Sequence, residues 1–439
     1  MKRSAKLIAA ASAAAVAVAA CIAVAVISRS PAQTDAPKDE ITLLDASGAD
    51  RVILPSHDGD ISLKLENGFW YLENDADFPV DQDRIGSVIS LCSPLKAERS
   101  VAQSPSDRDQ YGLGKDAEKM ELTVGGQSFS VYLGSENHTV GGVYVSLDEA
   151  GEVFLCDTKI LEAAHPESKL DIIVKDVYFP SDPGSVISLS SGGVTLQNKG
   201  SPASPDPDSA YSIESGGKSY PADKDRTTEI FEALASLKTS QCVYYGEDGD
   251  VLFPLTLDAV FTQGDGGTVR RTVYFSDPDG ERVFARAAGS FQTCLVDGDT
   301  LKKTIPDPVT CLEKKILPIL PGKLLSVSSK DRTLTRTEKT VNEPDSDPLT
   351  VTEYSLDGMV LDDKEADRIL DALTDLTAQS VGFFEPEGEM ILALEITYPD
   401  SVRKVSFISD GDSVCAVSGG LCWQRADVDD LSELLKIFT

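Results

Sequence analysis

The feature that most constrains this fold is a helix-start signature that recurs at intervals of a whole domain. Phe78-Pro79-Val80-Asp81-Gln82-Asp83-Arg84 leads into Ile85, Val88, Ile89, Cys92 and Leu95 at helical spacing. Tyr220-Pro221-Ala222-Asp223-Lys224-Asp225-Arg226 leads into Ile230, Phe231, Leu234 and Leu237. A third, more degenerate copy runs from Leu361-Asp362-Asp363-Lys364-Glu365 into Ile369, Leu370, Leu373 and Leu376. Asp81, Asp223 and Asp362 align at spacings of 142 and 139 residues. A near-constant period of that size predicts repeated domains and excludes a solenoid of short units. Each aligned Asp is expected to be an N-cap, because a carboxylate before an amphipathic run accepts hydrogen bonds from free backbone amides and complements the helix dipole.

Short alternating runs flank these helices. In the first unit they are Arg51 to Leu54, Ile61 to Leu65, Phe69 to Leu72, Met120 to Val124, Phe129 to Leu133, Tyr144 to Ser146 and Val153 to Cys156. The second unit follows the same order, from Val186 to Leu189 through Cys294 to Val296. The third shows Leu392 to Tyr398, Lys404 to Ile408, Val414 to Val417 and Leu421 to Gln424 after its helix. The expected fold class is α+β: three units, each an antiparallel sheet covered by one main helix, over 41–175, 176–311 and 312–439. Ser201 to Ser209 reads as a polar loop and Lys330 to Asp347 as a long polar excursion.

Ahead of the units, Lys2, Arg3 and Lys6 precede an uncharged apolar run of 21 residues, Leu7 to Ile27. A helix of that length spans a hydrocarbon core of about 30 Å at about 1.5 Å per residue. Residues 1–28 are therefore expected to be a retained signal anchor followed by a linker, 29–40. The flanking cations place the N-terminus in the cytoplasm and the units outside a cell membrane crossed once. Two alternatives export the units equally: Val18-Ala19-Ala20-Cys21 resembles a lipobox whose Cys21 would be acylated, and Ser30-Pro31-Ala32 resembles a cleavage site.

The chain carries a net charge of −32; leaving out Lys2, Arg3, Lys6 and Arg29, the rest carries −36. Such a field repels phosphate backbones, which argues against nucleic acid as a partner. Cys92 falls on a helix stripe, where a buried free thiol is expected. Cys415 and Cys422 would face one another across a hairpin if Ser418-Gly419 formed its turn.

No catalytic, cofactor-binding or metal-binding residue is assigned, so the protein is expected not to be an enzyme and to need no cofactor. Ser215-Gly216-Gly217-Lys218-Ser219 superficially matches a phosphate loop but has Ser212 where that motif needs Gly, and it reads as a β-turn. Ser93 and Lys96 match S-x-x-K without its partner motifs. His57, His138 and His165 have no catalytic context. Asp277-Pro278-Asp279-Gly280-Glu281 and Asp297-Gly298-Asp299 are oxygen-rich, but they lack EF-hand spacing and read first as turns.

The first unit resembles the bacterial envelope family known as domain of unknown function 4340. The resemblance rests on the N-terminal anchor, Phe69-Trp70-Tyr71-Leu72 ahead of Pro79-Val80-Asp81, Tyr111-Gly112-Leu113, Leu133-Gly134, and the strand pairs around Tyr144 and Val153-Phe154-Leu155. In the other units only Tyr245-Gly246 matches the Tyr-Gly-Leu element. The resemblance implies a membrane-anchored accessory protein of an ABC-transporter-type envelope complex, with an ABC permease as partner, and supplies no catalytic residues. The alternative function is an extracytoplasmic protein that binds a solute or wall polymer.

Overall fold

Among the described residues the strands form three antiparallel sheets of nine strands each. The computed structural model describes residues 40–199, 211–246, 251–317, 319, 321–341, 349–409, 413–425 and 429–439. The apolar run 7–27, Cys21, the linker up to residue 39 and the polar loop 201–209 lie outside the described residues. Among the described residues no helix is long and apolar enough to cross a membrane.

The first sheet contains β1 (Ile41–Leu44), β2 (Ala49–Leu54), β3 (Ile61–Glu66), β4 (Phe69–Leu72), β5 (Leu95–Ala102), β6 (Glu118–Val124), β7 (Gln127–Glu136), β8 (Val143–Ser146) and β9 (Val153–Cys156). Its order is β1-β5-β9-β8-β7-β6-β2-β3-β4. The second contains β10 (Val186–Ser191), β11 (Val194–Asn198), β12 (Tyr211–Ser215), β13 (Lys218–Pro221), β14 (Thr239–Tyr245), β15 (Leu255–Thr262), β16 (Thr268–Phe275), β17 (Val283–Ala287) and β18 (Gln292–Val296). Its order is β13-β12-β11-β10-β15-β16-β17-β18-β14. The third contains β19 (Ser326–Ser328), β20 (Thr333–Val341), β21 (Leu349–Leu356), β22 (Met359–Val360), β23 (Ser380–Gly382), β24 (Glu389–Thr397), β25 (Val402–Ser409), β26 (Val414–Ser418) and β27 (Leu421–Arg425), in the order β22-β21-β20-β19-β24-β25-β26-β27-β23.

The repeat is thus topological as well as sequential. The run β10-β15-β16-β17-β18-β14 has the same connectivity as β2-β6-β7-β8-β9-β5 and β19-β24-β25-β26-β27-β23. Hairpins make most connections, and paired Gly residues turn several of them: Gly216 and Gly217 have φ of 58° and 77°, the left-handed values a two-residue turn demands.

The helices are α1 (Gln82–Leu91), α2 (Lys159–Ala164), α3 (Lys224–Ser236), α4 (Gly298–Thr304), α5 (Asp363–Thr374) and α6 (Asp429–Phe438). Helix α3 joins β13 to β14, the two opposite edges of its sheet, so it must cross a sheet face. Its buried residues Thr227, Ile230, Phe231 and Leu234 follow the helical period, and the Phe231 ring meets Tyr211 of β12 edge-on at 6.3 Å. Two helices, not one, serve each unit: α1 packs with α2, α3 with α4 and α5 with α6. Of these second helices, α2 and α4 have only six and seven residues, too few to show a helical period in the sequence.

The described part of the polar stretch Lys330 to Asp347 holds a strand, since β20 occupies Thr333–Val341 and pairs with β21 from Leu334↔Leu356 to Val341↔Leu349, while 342–347 lie outside the described residues. Thr-rich alternation suits a pleated strand even where little of it reaches the core.

By compactness the chain forms two bodies, one ending at Val174 and holding the first sheet, the other starting at Lys175 and holding the second and third. In the first, Asp81 N–H donates to Ile172 O at 2.8 Å and Val174 N–H to Pro79 O at 2.8 Å. The equivalent bonds in the second unit run from Asp223 N–H to Cys311 O at 2.9 Å and from Glu313 N–H to Pro221 O at 3.2 Å. In both units, then, the closing segment is stitched to the entry of the main helix.

Candidate functional site

All three aligned aspartates cap their helices. Asp81 accepts from Arg84 N–H at 3.0 Å, Asp223 from Arg226 N–H at 2.8 Å and Asp362 from Glu365 N–H at 2.8 Å, each from extended backbone. Each serves its own helix start.

The two Asp-rich loops come together. Both line a cleft of about 530 Å³ in the second unit, with Lys238, Ser240 and Arg282. The cleft sits where β14 begins, where β18 ends and where α4 starts. Of its lining residues, Asp297 caps α4 by accepting from Thr300 N–H at 2.7 Å, and Lys302 Nζ pairs at 2.8 Å with Asp279, whose own N–H donates to Asp277 at 2.9 Å. The Thr300 hydrogen bonds hold the Asp297 carboxyl below its usual range, and the hydrogen bond to Asp279 holds Lys302 above its own. Both shifts favour the charged form at neutral pH, whereas a general acid or base needs a pKa moved toward neutrality. Among the described residues no group of three or more His, Cys, Asp or Glu is placed to hold a metal ion.

A cleft of about 310 Å³ occupies the equivalent place in the first unit, lined by Lys96 and Glu98 of β5, by Asp157 after β9 and by Ile160 of α2. Asp157 matches Asp297, and its carboxylate accepts from Lys159 N–H at 2.9 Å. The recurrence follows from the fold, since the same three elements meet there in both units.

The other sequence candidates disperse into local roles. Ser215 and Lys218 flank the tight turn between β12 and β13. Ser93 Oγ donates to Ile89 O at 2.7 Å while Lys96 Nζ pairs with Glu40 at 2.6 Å, so the S-x-x-K residues point to different partners. His138 lies 3.3 Å from Glu136, His165 lies 2.9 Å from Glu118, and His57 is exposed. Cys415 and Cys422 are not opposite one another: the turn is Gly419-Gly420, one residue later than expected, and the register pairs Val417 with Cys422 and Cys415 with Gln424. Both are buried and neither forms a disulfide, and the same holds for Cys92.

Motif residues of the first unit converge on packing. Gln82, the first residue of α1, clamps β4: its Oε1 accepts from Trp70 N–H at 2.7 Å and its Nε2 donates to Trp70 O at 2.9 Å. The Tyr111 ring meets Tyr144 edge-on at 5.0 Å, and Asn137 Nδ2 donates to the Tyr144 hydroxyl at 2.6 Å. A Cβ at Gly134 would collide with Tyr111 O, and one at Gly112, whose φ is 66°, with the backbone N of Ser135. Arg108 ties the same loop down by donating to Leu113 O at 3.1 Å. Sequence spacing could not show that Tyr111-Gly112-Leu113 and Leu133-Gly134 touch. A Gly in each motif hints at such a close approach.

Sheet, paired helices and convergent motif residues together define a class: an α+β repeat protein whose shared motifs maintain packing. The chain belongs to the family described as domain of unknown function (DUF4340), whose model matches residues 70–259 and 215–390. No curated protein and no solved structure matches it.

Proposed function

We propose that the protein is a non-enzymatic accessory or scaffold subunit of an ABC-transporter-type envelope complex, anchored in the cell membrane by residues 7–27 with its sheet units outside. The observation that carries this reading is the character of the sheet edges. Strand β4 ends the first sheet and leaves Phe69 57% exposed; β22 ends the third and leaves Met359 and Val360 67% and 60% exposed. An edge strand offers unpaired backbone groups, and large apolar side chains beside them suit a partner that adds a strand or covers the patch. The resemblance carried by the motifs of the first unit points the same way.

The test is capture of the full-length protein from native membranes in mild detergent, with mass spectrometry of what accompanies it. Stoichiometric recovery of an ABC permease, lost with Phe69→Lys or with Met359→Lys, is the expected result. Recovery of the protein alone, under conditions that keep known complexes intact, refutes it. The recurring cleft favours a second reading, an extracytoplasmic ligand-binding protein. Its signature would be a solute- or polymer-dependent rise in melting temperature that Arg282→Ala abolishes.

A further inference from the structure

Cys242 and Cys294 stand directly opposite one another in the ladder between β14 and β18. Directly opposed residues of an antiparallel pair share one face with Cβ atoms about 4.5–5.5 Å apart, close to the separation a disulfide bridges. Both side chains are buried, at 1% and 0% exposure, although β14 is the last strand of its sheet. The register shifts on either side of the pair, between Thr239 and Gln241 and between Cys242 and Tyr244, so the ladder is irregular where the thiols meet. Cys242 Sγ donates to Tyr244 O at 3.3 Å and Cys294 Sγ reaches Gln292 Oε1 at 3.9 Å, and the two thiols also interact with one another. Tyr178 beside them directs its hydroxyl to Ala285 O at 2.8 Å.

We propose that Cys242 and Cys294 are joined by a cross-strand disulfide that fastens the edge strand β14 to its sheet. Cys415 and Cys422 serve as the internal contrast, because they stand diagonally across their ladder, Cys415 being paired with Gln424 and Cys422 with Val417. The oxidant is a low-molecular-weight disulfide. The Cys242 thiolate attacks one of its sulfurs, its S–S bond breaks, and one small thiolate leaves a mixed disulfide on the protein. Cys294 then loses its proton to solvent and attacks Cys242 Sγ, releasing the second small thiolate. Two protein thiols are oxidised and one small disulfide is reduced to two thiols. The hydrogen bond from Cys294 favours Cys242 as the thiolate, while Cys294 itself is pushed strongly upward by that bond and by burial. Access comes during folding or through fraying of the edge strand. The extracytoplasmic location proposed above would supply an oxidising compartment, but the chemistry does not depend on that location.

The full-length protein in mild detergent is equilibrated with oxidised glutathione, alkylated in denaturant, digested without reductant and mapped by mass spectrometry. The same map is made after refolding the reduced, denatured chain in a glutathione buffer, which removes burial as an obstacle. The expected product is a Cys242–Cys294 linked peptide, with Cys415 and Cys422 alkylated. Reduction should lower the melting temperature of the wild type, and Cys294→Ser should show no such drop. Alkylation of both Cys242 and Cys294 in both maps, or a Cys415–Cys422 bridge in their place, overturns the proposal.

Discussion

Replacing the three capping aspartates one at a time tests whether the repeat signature works through its helix starts. Each carboxylate accepts one backbone N–H, at 3.0, 2.8 and 2.8 Å, and sits at the positive end of a helix of 10, 13 or 12 residues. Asp→Ala removes both the acceptor and the charge and should cost about 1 kcal/mol, within a range of roughly 0.5–2. Asp→Asn keeps an acceptor and loses only the charge–dipole attraction, about 0.3–1 kcal/mol at an exposed terminus. A loss of about 1 kcal/mol corresponds to a melting-point drop of roughly 2–4 °C for bodies of this size. Thermal melts give the size of the loss, and amide hydrogen exchange shows where it falls. Asp81→Ala should loosen α1 and leave α3 and α5 protected. Asp223→Ala and Asp362→Ala should loosen α3 and α5 respectively. The explanation fails if alanine at all three positions melts with the wild type, or if asparagine costs as much as alanine.

Three other substitutions probe the packing. Gly134→Ala drives a Cβ into Tyr111 O and should destabilise the first body by about 1–3 kcal/mol in chemical denaturation, leaving the second body's exchange unchanged. Trp423, 1% exposed, donates through Nε1 to Glu313 O at 2.8 Å, so Trp423→Phe should cost about 1–3 kcal/mol by stranding that carbonyl. Burial raises the Glu313 carboxyl above its ordinary value of 4.5. A carboxyl raised on folding lowers stability as pH climbs from its unfolded value through its folded one, so Glu313→Gln should melt higher than wild type at pH 7 and lose that advantage near pH 4.

Where a local rule decides structure, the chain is readable. An Asp before a periodic stripe became a cap three times, and a Gly-Gly pair after Ser215 became a tight turn. Where structure depends on pairing across distance, it is not. Thr333–Val341 is polar on both faces, and only its partner Leu349–Leu356 reveals it as a strand. Asp297-Gly298 reads as a turn because Asp-Gly usually is one, yet it opens a helix too short to show a period. The placement of Cys415 failed by one residue at Gly419-Gly420, and such a slip moves a side chain to a different partner. The cleft between the Asp-rich loops was equally hidden, since it exists only because β14 returns beside β18.

Strand β1 gives the first sheet a mechanical character that the others lack. Where β14 and β23 stand bare at their sheet edges, β5 is covered by β1, through the pairs Ile41↔Ala97, Thr42↔Lys96 and Leu44↔Leu95 and the ion pair of Glu40 with Lys96. Tension transmitted along the chain ahead of residue 40 therefore enters at a sheet edge through a short ladder, and that ladder bears the strain before β5 or the helices do. A pull strong enough to peel β1 away would expose β5 as an unpaired edge while β2 to β9 stayed registered, so the first sheet can yield by one strand without unfolding.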